Sequence, residues 1–135
     1  MMDKREILII DDDRDLALSL QAMLRDRNYH VCTANDSATG MEMLKARRPD
    51  LLMLDVMMES QLEGQKFALA VKRDPAFVDL PILVITGMLD AMGVNPREMF
   101  EEVEDLPNVS ILDKPFGTAE LISMVEKLTT ENQEA

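Results

Sequence analysis

Glu6-Ile7-Leu8-Ile9-Ile10-Asp11-Asp12-Asp13 is an apolar run that stops abruptly at three carboxylates. Such a run is too short for a stable helix. It is apolar on both faces, as a strand buried between two helix layers should be. The pattern recurs along the chain: Leu51–Leu54 is closed by Asp55, and Leu80–Ile85 by Thr86. Tyr29–Ala34 and Val109–Leu112 read as further short strands, and Lys114 comes just after the last of them. Helix-period segments fill the gaps. Leu16, Leu20, Met23 and Leu24 share one face, as do Ala38, Met41 and Leu44, then Phe67, Ala70 and Val71, and finally Leu121, Val125 and Leu128. Strand–helix alternation over the whole chain predicts an α/β fold, a parallel sheet with helices on both faces.

Two helix starts are legible from local chemistry. Asn95-Pro96-Arg97-Glu98 places an N-cap, a first-turn proline and a capping-box glutamate in sequence. Phe116 and Leu121 flank Gly117 at the spacing of a hydrophobic staple, which predicts a helix from about Thr118. Asp13 is placed to cap the helix after the first strand. The polar residues 129–135 read as a C-terminal tail, expected to fray, after a domain spanning residues 1–128.

Composition removes several function classes. The 135 residues fit one compact domain. Lys and Arg total 14 against 26 Asp and Glu, a net charge of −12, so nucleic acid and anionic membrane surfaces are disfavoured as partners. No apolar run approaches the roughly 20 residues of a membrane helix, and residues 1–6 are too short and too charged for a signal peptide. Cys32 is the single cysteine and cannot form an internal disulfide, which makes a reducing cytoplasm the expected compartment. Cys32 and the lone histidine, His30, are expected to be strand residues without a chemical role.

In open α/β sheets, ligands bind outside the carboxyl ends of the strands. The residues at those ends are Asp11, Asp12 and Asp13, then Asp55, Thr86 and Lys114. If the first, third, fourth and fifth strands are neighbours, these side chains converge on one cleft. Clustered carboxylates repel one another, and a hard divalent cation such as magnesium, with oxygen ligands and retained waters, offsets the repulsion. A carboxylate is also a competent nucleophile toward phosphorus. The cation, the Thr86 hydroxyl and the Lys114 ammonium would share the charge on a transferring phosphoryl group.

Ile7-Leu8-Ile9-Ile10-Asp11-Asp12, Leu52-Met53-Leu54-Asp55, Leu83-Val84-Ile85-Thr86-Gly87 and Lys114-Pro115-Phe116 resemble, in order, the four motifs of response-regulator receiver domains, from about Arg5 to Leu128. The resemblance implies a doubly wound, flavodoxin-like five-stranded parallel sheet ordered 2-1-3-4-5. It implies Asp55 as phosphoacceptor, Thr86 and Lys114 as its catalytic partners, and a histidine kinase or phosphotransfer protein as donor. Asp12, Asp55 and the Met57 main-chain carbonyl match the family's direct magnesium ligands, and Asp11 the ligand acting through water. A downstream protein target is implied. No turnover is implied beyond the domain's own phosphorylation and dephosphorylation. The chain ends about one helix after the Lys-Pro-Phe motif, so a stand-alone module is expected.

Four features depart from the family pattern. Glu59 stands where a proline is usual, and Gly64 arrives about one residue late. Thr86 and Lys114 are several residues further apart than usual, with a long loop expected over 87–94. Ile111 replaces the common switch aromatic, and methionines, Met57 and Met88, lie two residues past Asp55 and Thr86. Two other readings compete. A phosphohydrolase of the haloacid-dehalogenase type would need an acid where Met57 stands. A receiver-like scaffold that is never phosphorylated would have no use for the complete set of acids, threonine and lysine.

Overall fold

The computed structural model describes residues 4–55, 61–86, 108–113 and 116–134. Strands β1 (Glu6–Ile10), β2 (His30–Ala34), β3 (Leu51–Asp55), β4 (Ile82–Thr86) and β5 (Val109–Asp113) form one sheet in the order β2-β1-β3-β4-β5. All neighbours run parallel. Helices α1 (Arg14–Asp26), α2 (Ser37–Ala46), α3 (Gln61–Arg73) and α4 (Thr118–Glu134) lie among them, with a 3-10 turn at Pro75–Phe77. The doubly wound architecture expected from the sequence is the one observed.

Alternation along the strands divides the interior into two cores. Leu8, Ile10, Leu52, Leu54, Ile82 and Val84 pack with Leu44 of α2 and with Phe67, Ala68 and Val71 of α3. Ile7, Ile9, Leu51, Met53, Leu83 and Ile85 pack on the other face with Leu20 and Leu24 of α1 and Leu121 and Val125 of α4. Every residue of β3 is buried, as its central position requires. Burying a side chain of this size contributes about 1.5–3 kcal/mol, so two such layers outweigh any local propensity.

The helix ends are set by short-range chemistry. Asp13 caps α1 by accepting from the Leu16 amide at 3.1 Å. Asn28 ends the helix in the left-handed region, with φ 73°. The amides of Asn28 and Tyr29 then donate to the carbonyls of Arg25 (3.0 Å) and Leu24 (3.2 Å), a Schellman closure. That closure takes up Tyr29, and β2 therefore starts at His30 rather than at Tyr29. Similarly β4 starts at Ile82, past Pro81, whose nitrogen has no proton to give a sheet ladder. The helix predicted from Thr118 starts there, and Phe116 and Leu121 join the same core.

Three expectations about faces and ends are corrected. Ala38 and Ala70 are exposed, while Gly40 and Ala68 are buried. In α2 the helix rides so close to the sheet that a Cβ on Gly40 would lie 2.5 Å from Ile10 Cδ1. Contact there falls to the residue with no side chain, which carries no hydrophobic signal. Finally, α4 runs to Glu134. Thr129, expected in a fraying tail, is 1% exposed, and its hydroxyl donates to Val125 O at 2.9 Å. The Thr129 carbonyl accepts from Arg5 Nη1 at 2.7 Å, which ties α4 to the start of β1. The Asn95 helix start and the 87–94 loop lie outside the described residues.

Candidate functional site

The carboxyl ends of β1, β3, β4 and β5 are adjacent. Ile10 pairs with Leu54, so Asp11 and Asp55 occupy the next rung of neighbouring strands. Asp55 pairs with Ile85, which sets Thr86 one residue beyond it, and Thr86 pairs with Asp113. Adjacent strands lie about 4.8 Å apart, so Asp11, Asp55 and Thr86 are brought to one edge of the sheet. Lys114 and Met57 lie outside the described residues.

The three consecutive aspartates divide their work. Asp11 is 1% exposed, and its Oδ1 accepts from the Asp13 amide at 2.9 Å. Asp12 is exposed at the adjoining bend. Asp13 turns its carboxylate to the helix as a cap. The main chain of Asp11 is held on both of its polar groups by residues at the end of β2. Its amide donates to Ala34 O at 3.0 Å, and its carbonyl accepts from Asn35 Nδ2 at 3.2 Å. Asn35 is absent from the residues expected at the site, although the sequence carries a signal for it. It stands just past the carboxyl end of β2, the same kind of position as Asp11 holds after β1.

Asp55 is 5% exposed. Two carboxylates, Asp11 and Asp55, are thus buried at neighbouring strand ends, where like charges repel far more than in water. This donor set fits a hard cation. Among the described residues no three His, Cys, Asp or Glu side chains are grouped to hold a metal. Magnesium usually keeps several waters and takes only one or two carboxylates from the protein. His30 and Cys32 are strand residues, as expected. They are exposed on β2, lining with Met43 and Pro49 a groove of ≈ 230 Å³ near the carboxyl end of α2.

The family description "Response regulator receiver domain" matches residues 7–126. Response regulator MprA of Mycobacterium leprae is 35% identical over 122 residues, which cover 90% of this chain and 50% of that protein. MprA of Mycobacterium tuberculosis is 34% identical, covering 90% and 49%. This chain spans about half the length of the curated relatives it matches. A putative response regulator from Chloroflexus aurantiacus superposes with a TM-score of 0.78 at 27% identity, over 94% of this chain and 98% of that one. Vibrio cholerae chemotaxis protein CheY4 does so with a TM-score of 0.78 at 23% identity, over 93% and 98%. With order 2-1-3-4-5 and acids at the switch point of the sheet, the chain belongs to the response-regulator receiver domains of two-component signalling.

Proposed function

We propose that Asp55 is the phosphoacceptor, and that its phosphorylation switches the conformation read by a downstream protein. The observation that carries this is a carboxylate 5% exposed at the end of the central strand, beside the buried Asp11. An Asp55 carboxylate oxygen attacks the phosphorus of a phosphohistidine on a kinase or phosphotransfer protein. The P–O bond forms as the P–N bond breaks, and the departing imidazole takes up a proton. Asp12, Asp55 and the Met57 carbonyl would hold magnesium directly and Asp11 through a water, and the ion would neutralise charge on the phosphoryl oxygens. The Thr86 hydroxyl and Lys114 ammonium take the rest of that charge. Burial of Asp55 limits water at the reacting atoms, so charge pairing there is strong.

In this reading the receiver unit extends past residue 128 to include the buried Thr129 of α4, it works in the cytoplasm, and its chemistry is confined to its own phosphorylation and dephosphorylation. Among the described residues no helix is long and apolar enough to cross a membrane.

The test is incubation with acetyl phosphate and magnesium, then intact mass. One phosphoryl adduct is expected on the wild type and none on Asp55→Ala, whose circular dichroism should be unchanged. A wild type without adduct refutes the reading, and an adduct on Asp55→Ala removes Asp55 from its role. Sustained phosphate release from small phosphoesters would instead indicate a phosphohydrolase.

A further inference from the structure

We propose that Asn35 is a positioning residue for the cation-binding turn: its side-chain amide holds the Asp11 main chain so that the Asp11 and Asp12 carboxylates are ordered before the ion arrives. The inference rests on the reading of the cleft as a divalent-cation site.

The bond from Asn35 Nδ2 to Asp11 O is 3.2 Å long and joins residues 24 apart in sequence, so it is no local turn. Helix α2 does not need Asn35 as its cap. Asp36 fills that place, accepting from the Thr39 amide at 2.7 Å. Asn35 is left to serve the neighbouring strand end. Together with the bond from Asp11 N to Ala34 O, it pins both main-chain polar groups of Asp11 to the end of β2.

The residue type matters. A carbonyl oxygen can be held only by a donor, and the side-chain amide donates without bringing charge. A carboxylate here would repel both the carbonyl and the acids after it. A lysine would donate, but would also compete with the cation for those acids. Asp11 and Asp12 are consecutive anions at the end of a strand, and mutual repulsion favours a spread turn. Holding the main chain in place moves the ordering cost from the binding step to folding, the general route by which preorganisation strengthens binding.

The experiment is a magnesium titration of the isotope-labelled chain by two-dimensional NMR. It monitors the Asp13 amide, which donates to Asp11 Oδ1. The chains compared are wild type, Asn35→Ala, Asn35→Leu and Asp12→Ala. Leucine keeps the branching of asparagine at Cγ and removes the donor. Both Asn35 variants should bind magnesium about three- to tenfold more weakly, the worth of one side-chain hydrogen bond, and their thermal midpoints should stay close to the wild type. A purely structural role gives the opposite split, lower midpoints with unchanged affinity, and overturns the proposal. Loss of the response in Asp12→Ala together with wild-type affinity in both Asn35 variants overturns it while sparing the cation reading. A wild type that shows no response to magnesium overturns both.

Discussion

Lys72→Met should destabilise the chain, and by more in alkali than at neutral pH. Lys72 is 7% exposed near the end of α3. Its ammonium donates to Phe77 O at 3.2 Å, to Val78 O at 3.1 Å and to Leu80 O. Val78 O also accepts from Asn108 Nδ2 at 3.5 Å, so a single side chain organises the turn into β4 and reaches the entry to β5. Methionine keeps an unbranched stem but leaves three carbonyls without this donor. Each hydrogen bond to a charged group contributes about 1.5–3 kcal/mol. Against this stands the cost of burial, which, with Arg48 nearby and Asp79 opposing, lowers the Lys72 pKa from 10.5 to about 8. That depression corresponds to about 3 kcal/mol, and three such bonds less this cost leave a net loss on the order of 2–6 kcal/mol at neutral pH.

The lowered value fixes the direction with pH. Between about 8 and 10.5 the folded chain has released the proton that the unfolded chain still holds. Stability contributed by Lys72 therefore rises through that window and is lost as pH falls back to about 8. The difference between wild type and Lys72→Met should widen from pH ~7 to pH ~9.5. The chain has no tryptophan, so urea unfolding monitored by far-ultraviolet circular dichroism is the suitable assay. A difference that narrows with pH would refute the reasoning. It would mean that the three carbonyls hold the proton more tightly than burial expels it.

Gly40→Ala should cost stability although alanine is the better helix former. The new Cβ would lie 2.5 Å from Ile10 Cδ1 and 2.9 Å from Cγ1, and Ile10 is wholly buried. Overpacking of about 1–3 kcal/mol exceeds the gain of roughly 1 kcal/mol in helix propensity, and thermal unfolding would register the difference. Asp36→Ala should lower the unfolding midpoint at neutral pH by removing the cap on α2. The Thr39 amide and hydroxyl hold the Asp36 carboxyl below its usual 3.8. The cap's contribution is thus complete above that value and lost as pH falls through the lowered one, so the two chains should converge in acid.

Much of this architecture was legible in the sequence because its causes are local. A strand apolar on both faces, such as Ile7–Ile10 or Leu51–Leu54, must be covered on both sides, and that alone requires two helix layers. The Asp13 cap and the helix start at Thr118 depend on groups a few residues apart. The buried acids Asp11 and Asp55 were legible from their place at strand termini, since parallel strands present their carboxyl ends together. Tertiary structure decided whatever depends on distant segments meeting. It set the phase of α2, where Gly40 rather than Ala38 meets the sheet because close approach selects the smallest residue. It buried Thr129 by bringing Arg5 to its carbonyl, and Lys72 by bringing three carbonyls to its ammonium. It also set Asp11 apart from the exposed Asp12 beside it, by placing Ala34 and Asn35 of the β2 end against the Asp11 main chain, a contact across 24 positions that no local pattern encodes.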